Sequence, residues 1–159
     1  MIKVKIIALG RLKEKYLKDA VCEYEKRLKG YCNLECIELT PKALPDNPSK
    51  ALIDAALSAE ADMILKAIPK SSTIVAMCIE GKQYSSEKLA ELLSETANRT
   101  GSIVFIVGSS YGLSDKIKGL ADIKLSMSEM TFPHQLARVM LLEQVYRGFK
   151  INEGSAYHK

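Results

Sequence analysis

Side chains able to do chemistry are few in this chain of 159 residues. Histidine occurs only at His134 and His158, and the cysteines have no CxxC spacing, so the sequence offers neither clustered zinc ligands nor a disulfide framework. The four cysteines are Cys22, Cys32, Cys36 and Cys78. We expect buried free thiols and no metal site.

The segment Gly108–Gly112, GSSYG, has the spacing of the G-x-S-x-G nucleophile elbow of hydrolases, and it follows an apolar run as that motif requires. A triad built on Ser110 also needs an acid and a histidine later in the chain, and both are present. However, the chain is short for that fold, it has no HGGG-like oxyanion loop, and Leu113-Ser114 stands where a long helix should begin. A serine hydrolase is therefore a weak alternative.

Nucleotide-binding fingerprints are missing from the sequence. The first turn after a predicted strand offers only Gly10 where G-x-G-x-x-G needs three glycines, and there is no Walker loop. What remains are glycine- and serine-containing loops with Met and Phe side chains and few acids or bases. Such loops suit a ligand that is itself reactive, because the protein then has only to bind and orient it. Loops that bind nothing can have the same composition, so this alternative stays open.

Two apolar runs position these loops. Ile103–Val107 and Ile123–Ser126 each end in a polar turn and predict strands, and the first is β-branched and aromatic like a strand buried on both faces. Met127–Phe132 has no clear period and stops at Pro133. Because ligands in open α/β sheets bind beyond the carboxyl ends of the strands, we expect the functional site within residues 103–134.

Strands and helices alternate along the whole chain. Further strands are predicted at Ile2–Leu9, Leu34–Leu39 and Thr73–Ile79, the last ended by Glu80 and Gly81. Helices are predicted at Leu12–Leu28, from Ser49 to about Ala67, from Ser85 or Ser86 to about Asn98, near Leu113–Leu120, and from Pro133 to about Phe149. This order indicates an α/β fold in a single domain of residues 1–159, with a mainly parallel sheet and helices on both faces.

The formal net charge of +4 is unevenly distributed. Residues 1–50 hold 11 Lys and Arg against 7 Asp and Glu, whereas residues 51–102 hold 5 against 7. Basic residues crowd the start of the first predicted helix, where the helix dipole disfavours them: Arg11, Lys13, Lys15 and Lys18. A polyanionic partner would attract such a surface, although solvated lysine-rich helices are the simpler explanation.

Composition and hydropathy indicate a globular protein without membrane contact. Hydrophobic residues make up 47% and charged residues 26% of the chain. No stretch approaches the ~18 consecutive apolar residues of a membrane span, and the first residues lack the apolar core of a signal peptide. We expect a cytoplasmic protein.

Apolar residues occur around most of the circumference of the last predicted helix. A second subunit would naturally bury the part of this apolar surface that does not face the sheet. The apolar residues are Leu136, Val139, Met140, Leu141, Leu142, Val145, Tyr146 and Phe149. Glu143 and Arg147 are spaced i, i+4 for an ion pair. The tail, residues 151–159, is either frayed or folded over a site.

Several motifs resemble the RlmH family. They are Met130-Thr131-Phe132-Pro133-His134-Gln135, Glu143-Gln144-Val145-Tyr146-Arg147 and Ala156-Tyr157-His158-Lys159, and the likeness extends over the full length through Leu12-Lys13-Glu14-Lys15-Tyr16. The members are large-subunit ribosomal RNA methyltransferases of the SPOUT superfamily. The resemblance implies a homodimer with a carboxyl-terminal trefoil knot, near residues 103–150, that methylates the N3 position of a pseudouridine in 23S ribosomal RNA with S-adenosylmethionine. We expect the assembled ribosome to be the substrate, and a non-catalytic ribosome-binding factor is the alternative.

The same resemblance implies a set of cofactor contacts at the ends of three strands. They are Met77, Gly108, Met127, Ser128, Glu129, Met130, Thr131 and Phe132. The family usually has two glycines where this chain has Gly108-Ser109, and often Leu at the position of Met77. Because a sulfonium is cationic, its pocket should avoid Lys and Arg.

Roles in catalysis and RNA binding are hypotheses from the chemistry of individual residues in these motifs. We hypothesise that His158 takes the proton from the pseudouridine nitrogen and that Tyr157 positions the base. His134 is expected to anchor the knot loop. Contacts with phosphate are expected from Arg138, Arg147 and Lys159, and the two arginines could instead reach a partner carboxylate.

Overall fold

The computed structural model describes residues 1–158; the side chain of His158 and all of Lys159 lie outside the described residues. Strands and helices alternate throughout, as the sequence predicts. The elements are β1 (Lys3–Leu9), α1 (Lys15–Leu28), β2 (Asn33–Leu39), α2 (Lys50–Ala67), β3 (Thr73–Gln83), α3 (Ser86–Arg99), β4 (Ser102–Val107), α4 (Asp115–Leu120), β5 (Ile123–Ser126) and α5 (His134–Asn152), followed by a 3-10 turn at Ala156–His158.

The five strands form one sheet in the order β2-β1-β4-β3-β5, and every neighbouring pair is parallel. All six residues of β4 are buried, which explains its continuous apolar sequence. The predicted α/β fold with a mainly parallel sheet is confirmed. The order of the strands does not specify whether the chain passes through one of its own loops, so the trefoil knot stays a prediction.

Helices cover both faces of the sheet. Successive strand side chains point to opposite faces, so Ile6 and Phe105 pack with α1, α3 and α5, whereas Ile7 and Ile106 pack with α2 and α4. All four side chains are fully buried, and each such burial contributes roughly 1.5–3 kcal/mol. The two cores hold the strand ends rigidly, and these ends carry the loops of the predicted site.

Helices α2, α3 and α4 begin at serine caps, whereas α1 and α5 have no side-chain cap. Ser49 and Ser85 accept hydrogen bonds from backbone N–H groups three residues ahead, and each cap is worth about 1 kcal/mol. The first helix begins at Lys15 instead of Leu12. The Leu12 N–H donates to the Glu38 carboxylate at 3.0 Å, and the Lys13 N–H donates to the Gln135 side chain at 2.8 Å. These distant partners hold the segment before α1 as a loop.

The third strand is longer than predicted, because Glu80 and Gly81 do not end it. Met77 and Lys82 both pair with Leu125, so the residues between them form a bulge against β5. A β carbon on Gly81 would lie 2.6 Å from the Lys124 carbonyl carbon. Glycine is therefore needed for the close approach of two strands.

Candidate active site

A cavity of about 760 Å³ opens at the carboxyl ends of β4 and β5, against the bulged part of β3. Its walls come from β3 at residues 77–80, from the turn after β4 at residues 108–113, and from the segment after β5. This volume is typical of pockets that bind small molecules. The position agrees with the sequence prediction of a site within residues 103–134.

The cavity brings together seven of the eight residues proposed as cofactor contacts: Met77, Gly108, Met127, Ser128, Met130, Thr131 and Phe132. Glu129 is not among the lining residues. Sequence reasoning missed Cys78, Ile79, Glu80 and Lys118, which also line the cavity. The first three directly follow Met77: Cys78 and Ile79 lie within the predicted strand, and Glu80 is one of the two residues predicted to end it.

The backbone of the Gly108–Gly112 turn requires glycine at both ends. A β carbon on Gly108 would lie 2.6 Å from the Gly112 carbonyl carbon and closer still to its oxygen. The Gly112 N–H donates to the Ser109 carbonyl at 2.8 Å, and Gly112 itself has a φ of +81°. No described side chain hydrogen bonds to the Ser110 hydroxyl, whereas a nucleophile needs a histidine there. The G-x-S-x-G spacing is therefore explained by a tight turn.

The loop after β5 is ordered by short-range hydrogen bonds. The Ser126 hydroxyl donates to the Ser128 carbonyl, and the Met130 N–H donates to the Ser128 hydroxyl, both at 3.0 Å. Met130 is nevertheless 74% exposed. The loop thus has a fixed backbone and presents an apolar side chain at the mouth of the cavity.

One cation does line the cavity, contrary to the expectation that Lys and Arg are avoided. Lys118 from α4 forms an ion pair with Glu80 from β3. The pair raises the pKa of Lys118 and lowers the pKa of Glu80, in each case chiefly through their mutual hydrogen bond. A bound ligand therefore meets a neutralised pair rather than a free ammonium group.

His134 lies between the end of β1 and the cavity, which it helps to line. A β carbon on Gly10, whose φ is +123°, would lie 2.7 Å from the imidazole Cε1 atom. Burial lowers the pKa of His134, and the neighbouring charges of Lys13 and Arg138 lower it further. The structure thus favours the neutral imidazole. Its contact with the end of β1 is compatible with an anchoring role.

The two arginines proposed for RNA binding are differently placed. Arg138 is only 5% exposed, and its Nη1 atom lies 3.2 Å from the Glu38 carboxylate, so α5 is tied to β2. Such burial argues against a direct phosphate contact. Arg147 lies 2.7 Å from Glu143, which confirms the predicted i, i+4 ion pair.

The tail packs on α5, away from the first cavity. The Tyr157 hydroxyl donates to the Glu143 carboxylate at 3.0 Å, and the Arg147 guanidinium lies 5.0 Å from the Tyr157 ring centre. Tyr157 does not line the 760 Å³ cavity. Within one chain, then, the predicted positioning residue does not meet the predicted cofactor residues. The proposed base and phosphate contact at His158 and Lys159 fall outside the described side chains.

A second cavity of about 730 Å³ lies beside the first, bounded by α5 and by residues near the start of α3. The two cavities share Met77, Leu125, Ser126 and Met127. Glu143 and Arg147, which contact Tyr157, line this second cavity. The tail is therefore next to a space that adjoins the predicted cofactor site.

The family model described as "Predicted SPOUT methyltransferase" matches residues 2–158, almost the whole chain. The chain belongs to the SPOUT methyltransferase family. A Streptococcus thermophilus protein named "Ribosomal RNA large subunit methyltransferase H" is 48% identical over 159 residues, covering 99% of this chain and 100% of its own. A Clostridioides difficile protein of the same name is 46% identical over 157 residues, covering 98% and 99%. These full-length relatives confirm the resemblance to the RlmH family.

No group of three or more metal-ligating side chains occurs in this SPOUT chain among the residues described. Cys32 is a buried free thiol, as expected, but the prediction is wrong for Cys22, which is exposed. Burial raises the pKa of Cys32 to about 11 and, with Glu25 nearby, that of Cys36 to about 12. Within the described part of the chain, no helix combines the length and hydropathy of a membrane span.

Proposed function

We propose that this SPOUT protein transfers a methyl group from S-adenosylmethionine to the N3 atom of a pseudouridine in 23S ribosomal RNA. The observation that carries the proposal is the cavity at the ends of β4 and β5 and beside β3, lined by seven of the eight residues expected to bind the cofactor. It occurs in a member of a methyltransferase family whose full-length relatives are named for the large-subunit ribosomal RNA. Such a substrate would place the protein in the cytoplasm.

The cavity suits S-adenosylmethionine in size and in chemistry. Its apolar wall, formed by Val107, Leu125, Met127 and Phe132, would hold an adenine between side chains. Because Lys118 is paired, no described cation in the cavity is left to repel the sulfonium. When bound, the cofactor would supply an activated methyl group, and the protein would supply orientation and a place for the leaving proton.

A proton leaves the pseudouridine nitrogen during methylation, so a group that titrates near neutral pH is needed close to it. His158 is the proposed base, and Tyr157, whose backbone N–H donates to the Ser155 hydroxyl, is proposed to position the ring. His134 is the second candidate because it lines the cavity and its lowered pKa favours the neutral form that accepts a proton. Replacing each histidine by glutamine and measuring the pH dependence of single-turnover methylation would separate them.

We also propose that the active unit is a homodimer. Tyr157 does not line the cofactor cavity of its own chain, so a tail that acts there would come from a second copy. Helix α5 supports this arrangement because Leu136 is exposed and Val139 and Met140 are only partly buried along the edge of the second cavity. Light scattering of the full chain, together with methylation by mixed dimers of two inactive variants, would test it.

The loop before α1 is the proposed contact with RNA phosphates. Arg11 and Lys13 are exposed, and neither forms an ion pair with any described residue. The hydrogen bond from the Lys13 N–H to Gln135 holds this loop beside the start of α5, which borders the cavity at His134. These two cations replace Arg138 as candidates for phosphate binding.

The deciding experiment is transfer of labelled methyl from S-adenosylmethionine to ribosomes that lack the modification, with free ribosomal RNA in parallel. Label on a single pseudouridine of the ribosome is the expected result. If the protein binds ribosomes equally well with and without S-adenosylmethionine and transfers no label, a non-catalytic binding factor would be favoured. Ester cleavage abolished by Ser110→Ala would favour a hydrolase and contradict the proposal.

A further inference from the structure

Glu60 is a buried carboxylate beneath the cofactor-binding turn. It belongs to α2 and is only 3% exposed. Its two oxygens accept hydrogen bonds at 3.0 Å, one from the Lys42 backbone N–H and one from the Ser109 hydroxyl. Among the described residues it forms no ion pair. A buried carboxyl group that loses its hydrogen-bond partners is costly, so both bonds must be kept.

Ser109 transmits that geometry to the cavity wall. Ser109 itself lines the 760 Å³ cavity beside Gly108, and its carbonyl accepts the hydrogen bond that closes the turn from Gly112. Ser109 also forms an isolated β-bridge with Gly112. Holding the Ser109 side chain therefore holds the backbone of the whole turn. This contact also gives the serine a role at a position where the RlmH family usually has glycine.

Space beside the turn makes the restraint necessary. A small cavity of about 150 Å³ separates α2 from the turn, lined in part by Leu57, Glu60, Ser109 and Tyr111. Close-packed neighbours would fix the turn by contact alone, but here there is room for it to shift toward α2. The Glu60–Ser109 hydrogen bond crosses this region and fixes the distance between the turn and α2, because movement of the turn would break its geometry.

We propose that Glu60 is a positioning residue that holds the Gly108–Gly112 turn in its cofactor-binding shape through Ser109. The inference rests on the proposed function, because it assigns the turn to S-adenosylmethionine. Glu60 does not line the cofactor cavity. It acts on affinity for the cofactor through the turn, and it connects the turn to the proline-containing loop that begins near Lys42.

The test is calorimetric titration of the full chain with S-adenosylhomocysteine, the demethylated product. Loss of a hydrogen bond to a charged group should let the turn shift, and Ser109→Ala is expected to bind roughly tenfold more weakly. Ser49→Ala is the matched control because it also removes a serine hydroxyl, here the cap of the helix that carries Glu60. It should lower thermal stability and leave affinity unchanged.

A double-mutant cycle assigns the effect to the pair. Glu60→Ala is expected to weaken binding about as much as Ser109→Ala, and adding it to Ser109→Ala should weaken binding little further. Unchanged affinity of Ser109→Ala, or an equal loss in Ser49→Ala, would overturn the inference even if Glu60→Ala fails to fold. If the unaltered protein binds no S-adenosylhomocysteine, the proposed function fails first and the inference fails with it.

Discussion

Replacing Gly108 by alanine tests whether the turn after β4 forms the cofactor site. A β carbon at this position would lie 2.6 Å from the Gly112 carbonyl carbon, whereas ordinary van der Waals contacts begin at 3.4 Å. The turn must therefore open by at least about 0.8 Å, the difference between these distances, because the carbonyl oxygen is closer still. The clash is with backbone, which cannot rotate away as a flexible side chain can.

The effect should appear in binding rather than in folding. In the free protein the turn can relax by loosening the Ser109–Glu60 hydrogen bond, so the loss of stability should not exceed that of one hydrogen bond. Binding must return the turn to its original shape against the strain of about 1–3 kcal/mol that is typical of overpacking. Since each 1.4 kcal/mol is a factor of ten, the dissociation constant should rise about 5- to 150-fold.

Calorimetric titration with S-adenosylhomocysteine measures the affinity, and thermal unfolding checks the fold. Gly119→Ala is the matched control, because a β carbon at Gly119 has no neighbour within 4 Å and the residue lies in helix α4. It should bind normally and unfold at the same temperature or slightly higher. Normal affinity in Gly108→Ala would refute the placement of the cofactor against this turn.

Three further predictions concern pH, RNA and thiol chemistry. Burial lowers the pKa of His134, so the unfolded chain binds a proton before the folded chain does, and stability should fall as the pH drops below about 6.5. In thermal unfolding, His134→Gln should make stability less dependent on pH. Parallel curves for the variant and the unaltered protein would contradict this prediction. Joint replacement of Arg11 and Lys13 by alanine should weaken ribosome binding. The slope of log affinity against log salt concentration should become shallower by roughly 0.7–0.9 for each phosphate that these side chains neutralise. An unchanged slope would exclude both residues as phosphate contacts. Maleimide at neutral pH should label the exposed Cys22 and spare Cys36, because burial raises the pKa of Cys36 to about 12. Mass spectrometry of the labelled native protein measures this difference. Labelling of Cys36 before Cys22 would contradict the prediction.

Local patterns were sufficient to predict most of the fold. The strand at Ile103–Val107 was recognisable because a strand buried on both faces leaves a continuous apolar sequence. The helix starts at Ser49 and Ser85 were recognisable because a cap involves residues only three apart. The position of the cavity followed from the rule that parallel strands end at one edge, and the family motifs supplied the individual residues there.

Other features of the site depend on contacts between distant parts of the chain. The Ser109–Glu60 hydrogen bond joins residues 49 apart, and the Lys13–Gln135 bond joins residues 122 apart. Arg138 looked like a surface cation on an apolar helix, but pairing with Glu38 from another strand buries it. No periodicity in the sequence encodes these partners.

The sequence by itself determined the order and type of the elements and the position of the glycine turn, because propensity, capping and strand burial act over a few neighbouring residues. Only the tertiary structure decided that β3 continues to Gln83, that Glu80 neutralises Lys118 and that the tail lies on α5 outside the first cavity. These outcomes depend on contacts between residues far apart in the chain, which the strand order β2-β1-β4-β3-β5 and the two hydrophobic cores on opposite faces of the sheet bring together.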